Sequence, residues 1–130
     1  KVAALADNIK SFNPFVQVVE VNERINESNC QKIFENCTVV AECLDRADEK
    51  AMLATSIRIT LPETHVVAVS GIAGTQSSEE IFMRKLSDKM YVIGDMETDA
   101  EDGSGLFATR VGIAASMQSH IILRIVLGEE

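Results

Sequence analysis

The sequence predicts an α/β fold: a mainly parallel sheet covered by helices on both faces, followed by an antiparallel strand pair and a long closing helix. Three observations predict it. Residues 38–45 and 65–70 are short, near-continuous apolar runs rich in β-branched residues, the pattern of strands buried on both faces. Stretches with apolar residues at helical spacing separate these runs, and strand–helix alternation of this kind implies parallel pairing with right-handed crossovers. Asn13-Pro14, Pro62 and Gly128 stand where helices should stop.

The elements follow in order. Val2, Leu5, Ala6, Ile9 and Phe12 recur at helical spacing, with Asp7, Asn8, Lys10 and Ser11 opposite. Residues 15–21 read as a strand interrupted by Gln17 and Glu20. Asn26 or Ser28 can cap a short helix carrying Cys30, Ile33 and Phe34 on one face. The run Thr38-Val39-Val40-Ala41-Glu42-Cys43-Leu44-Asp45 is the central strand and ends in a carboxylate. A helix over 47–61 follows, with Leu53, Ile57 and Leu61 on its inner stripe. Residues 65–70 form the next strand, and residues 72–78 a flexible loop. Residues 80–86 and 89–94 read as an antiparallel pair joined at Ser87-Asp88. Residues 95–105 form an acidic loop. The last helix, 108–127, is expected to bury Val111, Ala114, Ala115, Ile122 and Ile125. This order is that of a Rossmann-like three-layer fold lacking its N-terminal βαβ unit, the place of the glycine-rich nucleotide loop.

At 130 residues the chain is one domain, or part of one, and can bury a core. It opens on Lys1, with a helical pattern at once and no strand or cap before it, so it reads as cut from a longer protein. A net charge of −8 argues against neutralising a nucleic-acid backbone. No apolar run approaches the roughly 18 residues of a membrane span, and no signal peptide is present. Cys30, Cys37 and Cys43 form no C-x-x-C pair, which argues against zinc and against a disulfide framework. Reduced, mostly buried thiols and a cytoplasmic location are expected.

Asp45 is the leading candidate site residue. In open α/β sheets, ligands sit outside the carboxyl ends of the strands. A carboxylate there can hold a metal–phosphate complex or orient a hydroxyl; it can equally cap the next helix. Gly71-x-x-Gly74 lacks the lysine and Ser/Thr of a P-loop and reads as a turn. Ser70 is not in a nucleophile elbow. Cys43 is expected in the core and inert, and His65 at the strand end away from the site. Asp95, Glu97, Asp99, Glu101 and Asp102 miss the calcium-loop spacing and read as a solvated loop, or as a mobile segment receiving a partner's tail. Arg110 can pair with a carboxylate, in the site or at the surface. Met117, Ile121 and Leu123 suggest a second buried contact for the last helix, such as a dimer partner.

Four motifs then share an order. Lys1-Val2-x-Ala4-Leu5 with Asn8 and Asn13-Pro14 resembles the helix after the nucleotide site in the ThiF/MoeB/HesA family, the bacterial relatives of ubiquitin-activating enzymes. Cys37-x-Val39-Val40-Ala41-Glu42-x-Leu44-Asp45 resembles that family's strand ending in its motif aspartate. Val69-Ser70-Gly71-x-x-Gly74, and Gly103-Ser104-Gly105-Leu106 through Arg110 to Met117-Gln118, resemble its following strand and its closing loop and helix. Met90-Tyr91-Val92-Ile93-Gly94-Asp95 and the short spacing look most like the short, zinc-free ThiF branch. The resemblance implies that residues 1–130 are the C-terminal portion of a ThiF-like adenylyltransferase. The parent would use ATP and Mg2+ to adenylate the C-terminal glycine of ThiS, a ubiquitin-like sulfur carrier of thiamine biosynthesis. By motif match, Lys1 would contact the ATP phosphates and Asp45 would hold magnesium, with no zinc expected and a homodimer as the assembly. The alternatives are a non-catalytic binding module for a ubiquitin-like partner and a nicotinamide-binding domain. Arg46 stands where the family often has asparagine, and residues 71–105 contain no cysteine, so sulfur transfer through that region is not expected.

Overall fold

A computed structural model describes residues 1–130, the side chain of residue 101 excepted. Helix α1 (Val2–Phe12) and helix α2 (Glu27–Phe34) precede strand β1 (Val39–Ala41) and helix α3 (Ala47–Thr60). Strands β2 (His65–Val69), β3 (Phe82–Ser87) and β4 (Met90–Gly94) follow, and helix α4 (Ala108–Val126) closes the chain. The sheet order is β1-β2-β4-β3, with β1, β2 and β4 parallel and β3 antiparallel to β4. The α/β fold with its parallel core, antiparallel pair and long last helix is therefore as expected.

Strand β2 is central because all five of its side chains are buried. Alternation along it divides two cores. Val67 and Val69 join Ile81, Tyr91, Ile93, Ala114, Ile121 and Ile125 beneath α4. Val66 points the other way, into Val40, Cys30, Leu53 and Ile57 beneath α2 and α3. Helix–sheet–helix layering follows from a strand whose two faces are both apolar.

Three expectations are corrected. Residues 15–21 form no strand; Phe15 and Val19 are 95% and 76% exposed. A strand needs a neighbour to take its N–H and C=O groups; residues 15–21 do not join the sheet, which leaves β1 as its edge among the described residues. For the same reason β1 is short and is not buried on both faces: Val40 is buried but Ala41 is exposed. The inner stripe of α4 is Arg110, Ala114, Gln118, Ile121 and Ile125. Only Ala114 and Ile125 match the expected set. Apolarity located the helix but misplaced its face, because two of its buried side chains are polar and find partners inside.

Candidate functional site

A cavity of about 300 Å³ opens at the carboxyl ends of β1 and β2. Its walls are the turn Glu42–Asp45, the first turns of α3 with Lys50, the segment after β2 from Ser70 to Ala73, residues 98–100, and the α4 side chains Val111, Ala115 and Gln118. This is where strand polarity places ligands in an open α/β sheet.

Asp45 lines this cavity and is exposed. Its carboxylate has no hydrogen-bond or ion-pair partner among the described residues, and it does not cap α3, whose N-cap is Arg46 with no side-chain cap bond. Lys1, the other expected site residue, does not line the cavity. It is exposed at the start of α1, a helix that buries only Ala6 and so is loosely tied to the sheet.

Beneath Asp45 lies a polar cluster that the sequence reading passed over. Glu42 is completely buried. Its carboxylate accepts from Lys50 Nζ at 3.0 and 3.1 Å and from the Leu44 N–H at 2.6 Å. The same ammonium donates to the Val69 carbonyl at 3.0 Å, so its three protons are all engaged. Gln118 reaches in from α4 and donates Nε2 to the carbonyls of Glu42 and Val67 at 3.1 and 2.8 Å. Cys43 donates its thiol to Gln118 Oε1 at 3.6 Å and is exposed, not in the core as expected. The β1 ladder ends at Ala41, so Cys43 stands on the turn rather than within the sheet. Desolvation and then the Glu42 carboxylate push its pKa up against the opposing pulls of Lys50 and Gln118, so it stays a thiol.

A second knot holds the cavity's far wall. Asp95 accepts from the backbone N–H groups of Glu97 and Thr98 and from the Thr98 hydroxyl, and Arg110 donates to its Oδ2 at 2.6 Å. Arg110 also donates to the carbonyls of Gln76 and Ser77. The pair is buried, with side chains 5% and 8% exposed, so it is not the surface pair the sequence left open. Burial pushes the Asp95 pKa up, but the four donors outweigh it and hold the carboxyl below its ordinary range. The two backbone stretches meeting here need glycine. A Cβ on Gly94 (φ +134°) would stand 1.7 Å from the Ser70 carbonyl oxygen, and one on Gly71 (φ +74°) would stand 2.0 Å from Asp95 Oδ1. Of the acidic loop, Asp95 is thus a buried organiser rather than a solvated acid. The side chain of Glu101 lies outside the described residues.

The ThiF family model matches residues 1–130, the whole of this chain. The chain belongs to the ThiF family. Among solved structures it is similar to the E. coli tRNA N6-threonylcarbamoyladenosine dehydratase, TcdA. With the AMP complex of that protein the TM-score is 0.77 at 14% identity, over 98% of this chain and 65% of that one. With its ATP complex the TM-score is 0.73 at 15% identity, over 99% and 66%. At such identities the likeness is one of fold, and this ThiF-family chain spans about 65% of the length of TcdA. No curated protein sequence matches it. Among the described residues, no group of three or more His, Cys, Asp and Glu side chains could hold a metal, and no helix is long and apolar enough to cross a membrane.

Glu42, Lys50 and Gln118 had a faint sequence signal. Glu42 is a charge inside an apolar run, and Gln118 is a polar residue at a stripe position; each calls for a buried partner. Nothing in the sequence says that those partners are one another.

Proposed function

We propose that the protein carrying this chain uses ATP and magnesium to adenylate the C-terminal glycine carboxylate of a ubiquitin-like sulfur carrier of the ThiS type, releasing pyrophosphate. Thiamine biosynthesis, a cytoplasmic location and a homodimeric assembly come with that reading. The observation that carries it is Asp45: an unpartnered carboxylate on the wall of a cavity at the ends of parallel strands, in a chain of this family.

The donor set suits magnesium. Mg2+ keeps several waters and takes one or two carboxylates plus substrate phosphates, so a single free carboxylate is an adequate protein ligand, and a three-acid cluster is not needed. Asp45 would hold the ion, which when bound would neutralise charge on the phosphate oxygens. The short turn tied by Glu42 keeps that carboxylate facing the cavity. Lys1 as a phosphate contact rests on the motif match alone. Residues 1–130 contain no Gly-x-Gly-x-x-Gly loop, so on this reading a backbone cradle for the phosphates would come from outside them. A fragment limited to residues 1–130 is therefore expected to be silent, with activity requiring the longer protein.

ATP–pyrophosphate exchange in the longer protein tests the reading. Asp45→Ala should abolish exchange with an unchanged far-ultraviolet circular dichroism spectrum. Retained turnover removes Asp45 from the site, and the alternative, a non-catalytic module for a ubiquitin-like partner, gains if carrier pull-down then needs neither ATP nor Asp45. A tRNA-directed role of the kind in the name of TcdA fits less well, since a net charge of −8 opposes binding to a phosphate backbone.

A further inference from the structure

The cavity is lined by the carboxylates of Glu42 and Asp45 and, among the described residues, by one cation, Lys50. A phosphate chain entering such a site meets net negative charge, and the single cation is engaged with the buried Glu42. The Lys50 side chain is 25% exposed while Glu42 is sealed beneath it. The ammonium therefore stands between the buried carboxylate and whatever occupies the cavity.

Resting on the reading above, we infer that Lys50 acts on nucleotide binding by screening the buried Glu42 carboxylate from the triphosphate of ATP. The bonds fix the ammonium over that carboxylate: Lys50 Nζ donates to both Glu42 oxygens and to the last carbonyl of β2. Lys50 does not have to touch the nucleotide to do this. Removing it bares a buried charge at the floor of an anion site.

The electrostatic role has a signature that structural damage lacks, because the two members of the pair act with opposite sign. Calorimetric binding of Mg·ATP and of ATP in EDTA to the longer protein reads it without turnover. Lys50→Met should weaken binding by about tenfold or more, as expected for one uncompensated charge within a few ångströms of a polyanion. Glu42→Gln, nearly isosteric, frees the ammonium and should tighten binding. The double variant, a neutral pair, should recover most of the affinity lost by Lys50→Met. Should Lys50→Met fail to fold, Glu42→Gln and the double variant still decide. Weaker binding in Glu42→Gln, or a double variant impaired about tenfold, overturns the inference and makes the pair a fold element or Lys50 a direct contact. A wild-type protein that binds no Mg·ATP overturns the parent reading and this one with it, whereas wild-type binding left unaltered by these variants overturns this one alone.

Discussion

Arg110 shows how much one side chain can organise. It sits at the start of α4 yet points inward, with Asp95 on one amino group and two loop carbonyls on the other. Removing one member of a buried ion pair leaves the other charged and dry, which costs about 3–5 kcal/mol. Arg110→Met should lower unfolding stability by that order in urea denaturation; a change under about 1 kcal/mol would mean the pair is solvated. The pH dependence carries the same information. Burial pushes the Asp95 carboxyl up, but the Thr98 and Glu97 N–H groups, the Thr98 hydroxyl and Arg110 hold it below the ordinary carboxylate range. A depressed carboxylate contributes stability that is present above the unfolded pKa and is lost as pH falls through the folded one. The wild-type unfolding midpoint should therefore drop below about pH 4, and Arg110→Met should show a shallower drop.

At the scale of elements, local chemistry decides where α2 begins and partners decide whether strands exist. Asn26 caps α2 by accepting from the Ser28 and Asn29 N–H groups, and the Asn29 side chain returns a bond to the Asn26 N–H. These contacts lie within four residues, so the cap was legible in the sequence. Asn26→Ala should cost about 1 kcal/mol, measurable by thermal or urea unfolding, with α2 fraying first. Strands offer the contrast. The expected antiparallel pair forms, with its first strand starting at Phe82 rather than Glu80 and the turn one residue later, at Asp88-Lys89, since both strands of a hairpin are present in one short stretch. Residues 15–21 have comparable apolar content but no neighbour, and stay irregular. Strand propensity is a preference for a half-buried surface, and it is realised only where that surface is supplied.

Across the whole molecule, burial is concentrated on β2 and β4 and thins towards both sheet edges and α1. Four of the five β4 residues are buried, as are all five of β2, while α1 buries only Ala6. Opening free energies follow such differences, so amide hydrogen exchange should be slowest in β2 and β4 and fastest in α1 and residues 15–22. Protection in α1 equal to that of β2 would contradict this ordering. The exposed apolar side chains of Phe12, Phe15 and Val19 belong to this same weakly held region.

The sequence by itself determined the class of fold, the helix positions and the hairpin, while the first parallel strand, read as running to Asp45, stops at Ala41. Those three depend on periodicity, capping or punctuation read over a few neighbours. Only the tertiary structure decided that β1 is an edge, that α4 turns Arg110 and Gln118 inward, that Cys43 is exposed, and that Glu42 and Lys50 meet beneath Asp45. Those outcomes depend on groups brought together from 8 to 76 residues apart. A polar side chain announces that it needs a partner, but only the folded chain brings that partner within reach.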